Sequence, residues 1–303
     1  MTVSAILGRF PVPDWVRAMR IQQSGSWKRG MTRIAIILAV VYLVSFGVLL
    51  LLEDSLLYHP VSAAEDWTPP PKRLAPPLDV ELVADGNRLH AWWSVPEDWV
   101  ATRGAVLFCH GNGGNLSWWG RVIENWHEHR SEAFLIFDYP GYGKSEGRPS
   151  EDGCYAAASA AYNWMTESQQ VPGERILLVG QSLGTGVATH LALDCRHRAL
   201  VLISPFTSMP DMAAEKLPMF PGRWFVHNHF DNIGRIGLCH RALLIVHGVA
   251  DDTVPFHHGE KVFSAAHSPK RFLRLDGVGH RVKLDDRFFG TLRALLDEET
   301  SSN

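Results

Sequence analysis

The chain has 303 residues, of which 46% are hydrophobic and 20% charged, and its formal net charge is −3. That balance is too apolar for a disordered chain, and the length suits one large α/β domain plus an appendage. Neither half carries a basic excess, so nucleic acid is excluded as a partner on electrostatic grounds.

Residues 1–33 read as an amino-terminal segment on the cytoplasmic side, with Phe10, Pro11, Pro13 and Trp15 among several arginines. From Ile34 to Leu52 the chain carries no charge, and only Tyr42 and Ser45 interrupt the apolar run. At ~1.5 Å per residue such a run crosses a hydrocarbon core of about 30 Å. Lys28, Arg29 and Arg33 precede it, while Glu53 and Asp54 follow it. Positive charge stays cytoplasmic, which predicts a single-pass membrane protein with its amino terminus inside and its larger part outside. A cleaved signal peptide has a shorter apolar region, about 7–15 residues, placed nearer the start. A retained anchor over 34–52 is therefore the expectation. Residues 53–77 hold Pro60, Pro69, Pro70, Pro71, Pro76 and Pro77, a composition that resists helix and predicts an extended, semi-rigid linker.

From residue 78 to 297 short apolar runs alternate with helical patterns. Strands are expected at Val80–Val83, Leu89–Val95, Ala105–Cys109, Ala133–Asp138, Ile176–Gly180, Leu200–Ile203, Leu243–His247 and Phe272–Leu275. Helices are expected over 115–129, 151–167, 183–194, 257–266 and 285–297, with a tail at 298–303. Runs such as Ala-Val-Leu-Phe-Cys lack polar alternation, as strands covered on both faces do. The alternation predicts a mostly parallel eight-stranded sheet flanked by helices, beginning with an antiparallel hairpin at Asp85-Gly86-Asn87. The four cysteines (Cys109, Cys154, Cys195 and Cys239) form neither a disulfide framework nor a zinc spacing.

Chemistry-bearing motifs sit at the carboxyl ends of these strands. The first is Cys109-His110-Gly111-Asn112-Gly113-Gly114-Asn115, a glycine-rich loop through which backbone N–H groups can approach a developing oxyanion. The expected donors are the N–H groups of Asn112 and Leu183, with His110 bracing the loop. Trp118, just beyond, is a candidate lining residue. Asn115-Leu116-Ser117 is a formal glycosylation sequon, read as a chance match because a glycan there would block the loop. Asp138 through Gly147 contains Gly143-Lys144-Ser145, which imitates a phosphate loop. Asp138 occupies the required first glycine position, and Glu146 the third glycine of a dinucleotide motif, so no nucleotide is expected.

Gly180-Gln181-Ser182-Leu183-Gly184 matches G-x-S-x-G directly between a strand and a helix. There a sharp turn lifts the serine hydroxyl above the sheet at a helix amino terminus. Residues 204–240 form a candidate lid, in which Phe206 and Met209 are candidate pocket residues. His247-Gly248-Val249-Ala250-Asp251-Asp252 offers two adjacent carboxylates after another strand, and Asp211 is a more distant stand-in. Asp276-Gly277-Val278-Gly279-His280 ends the last strand with a histidine able to serve as base near neutral pH. The chain has fifteen histidines; His227 and His229 are the rivals to His280. A Ser, Asp, His chain order belongs to one known architecture.

Together these pieces resemble the α/β-hydrolase superfamily, and more narrowly the Bem46-like branch of membrane-anchored serine hydrolases with its ABHD13- and ABHD17-type members. The resemblance implies an α/β-hydrolase fold, catalytic roles for Ser182, Asp251 (rather than Asp252) and His280, an amino-terminal anchor, and no metal or cofactor. Activities in that family include esterases, thioesterases and peptidase-like hydrolases; the leading expectation here is hydrolysis of carboxylic esters or thioesters of a small or lipid-like acyl substrate through an acyl-enzyme. Aminopeptidase-like or oligopeptidase-like hydrolysis is the alternative, and an inactive membrane scaffold is the reading from another class. The amino terminus is not cysteine-rich, which removes grounds for lipid-based anchoring or a depalmitoylase role.

Overall fold

The computed structural model describes residues 14–71 and 76–302. The chain divides between Leu52 and Glu53 into two compact units. The first holds a single helix, α1 (Asp14–Leu51), whose stretch Trp27–Leu51 is long and apolar enough to cross a membrane. Every residue from Ile34 to Ser45 is exposed, as in a helix that is apolar all round. Helix begins well before the apolar run, so the segment expected over 1–33 is helical from Asp14, and residues 1–13 lie outside the described residues.

The second unit begins earlier than expected. Residues 53–71 are a packed part of it, which corrects the extended linker over 53–77 (residues 72–75 of which lie outside the description). Helix α2 (Glu53–Leu57) is followed by a short strand, β1 (His59–Pro60). Tyr58 is buried, and its hydroxyl donates to the Asn228 side chain at 2.6 Å. Trp67 packs edge-on against Trp92 at 5.5 Å. Asn115 Nδ2 donates to the carbonyls of Val61 and Asp66 at 3.1 and 2.9 Å. Proline removes donors from this stretch, but its carbonyls and two aromatic rings still find partners on the domain.

The remaining strands are β2 (Leu78–Ala84), β3 (Asn87–Ser94), β4 (Ala105–Cys109), β5 (Gly113–Gly114), β6 (Ala133–Phe137), β7 (Ile176–Gln181), β8 (Ala199–Ile203), β9 (Ala242–Gly248) and β10 (Lys270–Leu275). β1 pairs with β5; the other eight form one sheet in the order β10-β9-β8-β7-β4-β6-β3-β2. Pairing is antiparallel at β2–β3 and β3–β6 and parallel elsewhere. The β2–β3 turn places Asp85 and Gly86 at φ 47° and 77°, the left-handed pair that a tight hairpin needs.

Alternate residues of the central strands feed two cores. Leu107, Leu178, Leu202 and Ile245 pack on one face. Val106, Phe108, Val179, Val201 and Leu244 pack on the other. Helices α3 (Gly120–His129), α4 (Glu151–Asn163), α5 (Leu183–Asp194), α6 (Met209–Lys216), α7 (Asn232–Ile236), α8 (Phe256–Ala265) and α9 (Asp286–Ser302) complete the unit. Two expected helices divide: a 3₁₀ turn over Leu116–Trp119 precedes α3, and a π turn over Trp164–Ser168 follows α4. The expected tail at 298–303 is helical through Ser302, where α9 continues past residue 297. All four cysteines are free thiols.

Candidate active site

The turn from β7 into α5 places Ser182 at φ 52°, ψ −119°, a conformation that costs a non-glycine residue energy and persists only where its surroundings enforce it. Here they do. Ser182 N–H donates to the Ile203 carbonyl at 2.9 Å, and Thr185 returns a backbone and a hydroxyl bond to the Ser182 carbonyl at 2.9 and 2.6 Å. The flanking glycines are required by close approach. A Cβ on Gly180 would lie 2.3 Å from the Gly184 carbonyl oxygen, and one on Gly184 would lie 2.0 Å from that of Cys109.

His280 reaches this turn from the loop after β10. Its Nε2 lies 3.1 Å from Ser182 Oγ, and its Nδ1 lies 2.8 Å from Asp251 Oδ2. Two backbone bonds, Val249 N–H to Leu275 O (2.9 Å) and Ala250 N–H to Val278 O (3.0 Å), clip the two loops together. Gly248 permits that contact, since a Cβ there would sit 2.3 Å from the Val278 carbonyl. Sequence separations of 98 and 29 residues thus close to hydrogen-bond distance.

The Asp251 side chain is fully buried. Its Oδ1 accepts from the N–H groups of Thr253 (3.0 Å) and Val254 (2.8 Å). Its Oδ2 faces His280 and, at 3.3 Å, His247 Nε2. Burial by itself raises the carboxyl; bonds from His247, His280 and Val254 outweigh it and hold Asp251 well below the usual carboxylate range. Asp252 is exposed and turned away, its backbone carbonyl accepting from Lys216 Nζ at 2.9 Å. The rival histidines lie elsewhere: His227 pairs with Glu53 at 3.1 Å, and His229 with the Val226 carbonyl at 3.1 Å.

The glycine-rich loop lies beside Ser182, where a Cβ on Gly111 would touch Ser182 Cβ at 3.6 Å. His110 is fully buried, and its Nδ1 lies 2.7 Å from the Gly111 carbonyl. Burial pushes the ring toward its neutral form, and for this bond the proton sits on Nδ1. A trans peptide points its carbonyl and its N–H in opposite directions. Holding the Gly111 carbonyl therefore aims the Asn112 N–H. The Asn112 carbonyl is held in turn by His59 N–H (3.0 Å) and the Tyr142 hydroxyl (2.8 Å), while the Tyr139 hydroxyl holds that of His110 (2.9 Å). Leu183 is the first residue of α5, where an N–H lacks an intrahelical partner. A hydroxyl, an imidazole and a buried carboxylate in one hydrogen-bonded row are an arrangement capable of addition to a carbonyl, for which backbone N–H groups nearby can receive the anion.

The candidate pocket residues take different places in the fold. Phe206 is buried in the core, because its ring is consumed by packing under the 204–240 segment. Met209 is half-buried against the same core. Trp118 lies over Gly114, donates to Asp66 at 3.0 Å, and lines a cavity of about 740 Å³ with Asp66, Pro69, Pro71 and Arg121, none of which belongs to the Ser182 site. Asn115 is fully buried, with its amide engaged on both sides, in keeping with a chance sequon. His247 and the two tyrosine braces carried no local signal. Their roles arise only when the loop at Tyr139-Pro140-Gly141-Tyr142 folds beneath His110, and when β9 lays His247 beside Asp251.

Comparison with known proteins agrees with this architecture. A family profile described as "alpha/beta hydrolase fold" matches residues 104–237. The chain is 36% identical over 278 residues to the uncharacterized protein Rv2307c of Mycobacterium tuberculosis, covering 86% of this chain and 96% of that one. It is 32% identical over 201 residues to the alpha/beta hydrolase domain-containing protein aho-3 of Caenorhabditis elegans, covering 65% of this chain and 58% of the relative. Among solved structures, the esterase Pf2001 of Pyrococcus furiosus superposes with a TM-score of 0.64 at 19% identity, over 80% of this chain and 99% of the esterase.

Proposed function

The chain belongs to the α/β-hydrolase family, and from that premise we propose that it is a serine hydrolase cleaving carboxylic ester or thioester bonds through an acyl-enzyme, with Ser182 as nucleophile. The observation that carries this reading is the unbroken row Ser182 Oγ, His280, Asp251 at 3.1 and 2.8 Å. In the proposed reaction Ser182 Oγ attacks the substrate carbonyl while His280 Nε2 takes its proton. The carbonyl oxygen becomes an anion held by the N–H groups of Asn112 and Leu183. Collapse expels the alcohol or thiol, which receives that proton from His280, and leaves an ester on Ser182. Water, deprotonated by His280, then releases the acid and restores the serine. Asp251 stays anionic because the Thr253 and Val254 N–H groups and His280 bond to it, with His247 Nε2 3.3 Å away, so it steadies the imidazolium without taking its proton.

An aminopeptidase needs free carboxylates for the substrate ammonium group, and Asp211 and Glu215 are the pair near the 204–240 segment. Both are engaged: Asp211 with Arg223 (3.3 Å) and Thr207 (2.8 Å), Glu215 with His257 (3.2 Å) and His258 (2.9 Å). That favours acyl esters. A panel of p-nitrophenyl esters, thioesters and aminoacyl p-nitroanilides tests the order: esters or thioesters are expected to turn over at least ~10-fold faster (kcat/KM) than the anilides, and the reverse ranking overturns the assignment.

The helix Trp27–Leu51 supports a retained membrane anchor, with the basic residues Lys28, Arg29 and Arg33 on the cytoplasmic side and the hydrolase unit outside. Alkaline carbonate should leave the chain in the membrane pellet; its release to the supernatant would rule the anchor out.

A further inference from the structure

We propose that Glu215, His257 and His258 form a divalent-metal site of zinc-like preference that clips α6 to α8. One ligand atom from each residue lies within 4.8 Å of the others. Glu215 Oε2 is 3.2 Å from His257 Nε2 and 2.9 Å from His258 Nε2. Tetrahedral zinc with bonds of ~2.0–2.1 Å separates its ligands by about 3.3 Å. Both edges from Glu215 are therefore within about half an ångström of that spacing, and the edge between the two histidine nitrogens lies within 4.8 Å.

The histidines are adjacent in sequence yet converge, with rings 4.5 Å apart. His258 is buried, and the side chains of His257 and Glu215 are 44% and 38% exposed. The exposed side leaves room for water as a fourth ligand. Two imidazoles and one carboxylate suit zinc and disfavour the harder calcium and magnesium.

The surroundings supply an orienting partner. To ligate through Nε2, His258 carries its proton on Nδ1, which lies 2.9 Å from Thr207 Oγ1. The Thr207 hydroxyl then donates to Asp211 Oδ2 at 2.8 Å, and Asp211 is paired with Arg223. A ligating histidine backed by an oxygen that is itself hydrogen-bonded is the usual second layer of a zinc site. In the other tautomer Nδ1 accepts from Thr207 N–H at 3.2 Å and Nε2–H donates to Glu215; ligation through Nε2 would shift the proton to Nδ1 and exchange the Thr207 N–H bond for the one to Thr207 Oγ1.

The site would tie the 204–240 segment to the loop carrying Asp251. α8 follows that loop, and Gly259 of α8 abuts His247, with a Cβ there 2.4 Å from its Nδ1. Lys216, at the end of α6, already holds the Asp252 carbonyl.

The test uses the full chain in detergent, stripped with EDTA and then titrated with Zn²⁺ alone by calorimetry. One Zn²⁺ per chain is expected, with a rise in unfolding temperature. Glu215→Ala/His257→Ala alters only partly exposed side chains and should weaken binding at least 100-fold. Thr207→Val should weaken it about 10–100-fold. His280→Ala should keep wild-type affinity, separating this site from the Ser182 row. Co²⁺ in place of Zn²⁺ should give visible d–d bands on the wild-type protein, a readout independent of whether any variant folds. Absence of saturable binding to wild type, or wild-type affinity in the folded double variant, overturns the proposal.

Discussion

Ser182→Ala is expected to lower kcat/KM by at least ~10³-fold while the protein stays folded. The hydroxyl makes one hydrogen bond, to His280 at 3.1 Å, whose loss costs only about 1 kcal/mol. The φ 52° conformation is as strained for alanine as for serine, so the turn itself gains and loses little. Two N–H donors and the base remain, which leaves a residual rate through direct attack by water. The measurement pairs ester turnover with circular dichroism and labelling by a fluorophosphonate, which reacts covalently with an activated serine. Wild type should label and the variant should not. Turnover within 10-fold of wild type in a folded Ser182→Ala protein would remove the nucleophile assignment.

Asp251→Asn carries the second large effect, a fall in kcat of about 10⁴-fold. Asp251 Oδ1 accepts from two backbone N–H groups, and only an oxygen can occupy that position. An asparagine must therefore turn its NH₂ toward His280 Nδ1. That nitrogen becomes an acceptor, the imidazole proton moves to Nε2, and the ring can no longer take a proton from Ser182. His247 Nε2, 3.3 Å from this position, keeps its closer acceptor, the Val254 carbonyl at 2.9 Å. Asp252→Asn, exposed and turned away, is the control and should stay within about 2-fold of wild type. A loss shared equally by both variants would sink the assignment. The stabilising effect of Asp251 also has a sign in pH. Its folded pKa is depressed, so its contribution is present at neutral pH and disappears as pH falls below the unfolded value of about 3.9. Wild type should lose more stability than Asp251→Asn between pH 5 and 3, read from urea midpoints.

Much of this was legible along the chain because it depends on short-range physics. The central strands follow from apolar runs, since a strand covered on both faces cannot alternate, while the edge strand β2 follows from its alternation of exposed and buried residues. The Asp85-Gly86 turn and the strand–Ser182–helix context follow from backbone sterics over a few residues. The candidate site residues Ser182 and His280 and the pair Asp251–Asp252 were reachable from strand ends, because parallel α/β sheets collect their loops at one rim.

The misreadings share a cause. Prolines announce the loss of helix but say nothing about where their carbonyls and neighbouring rings go, so residues 53–71 read as a spacer although Tyr58, Trp67 and Val61 are claimed by the domain. An aromatic in the 204–240 segment reads equally as pocket wall or core, and only packing sent Phe206 inward. His110, Tyr139 and Tyr142 look ordinary until the loop after β6 folds beneath the oxyanion loop.

By itself, the order of residues determined the α/β alternation, the apolar helix and the strand-end positions of the serine, the carboxylate and the histidine, because each depends on propensities acting within a dozen residues. Tertiary structure alone decided which of two neighbouring aspartates meets His280, what aims the Asn112 N–H, and that Glu215 meets two histidines of another helix. Those outcomes depend on side-chain direction across elements far apart in the chain, and only the packed sheet supplies that direction.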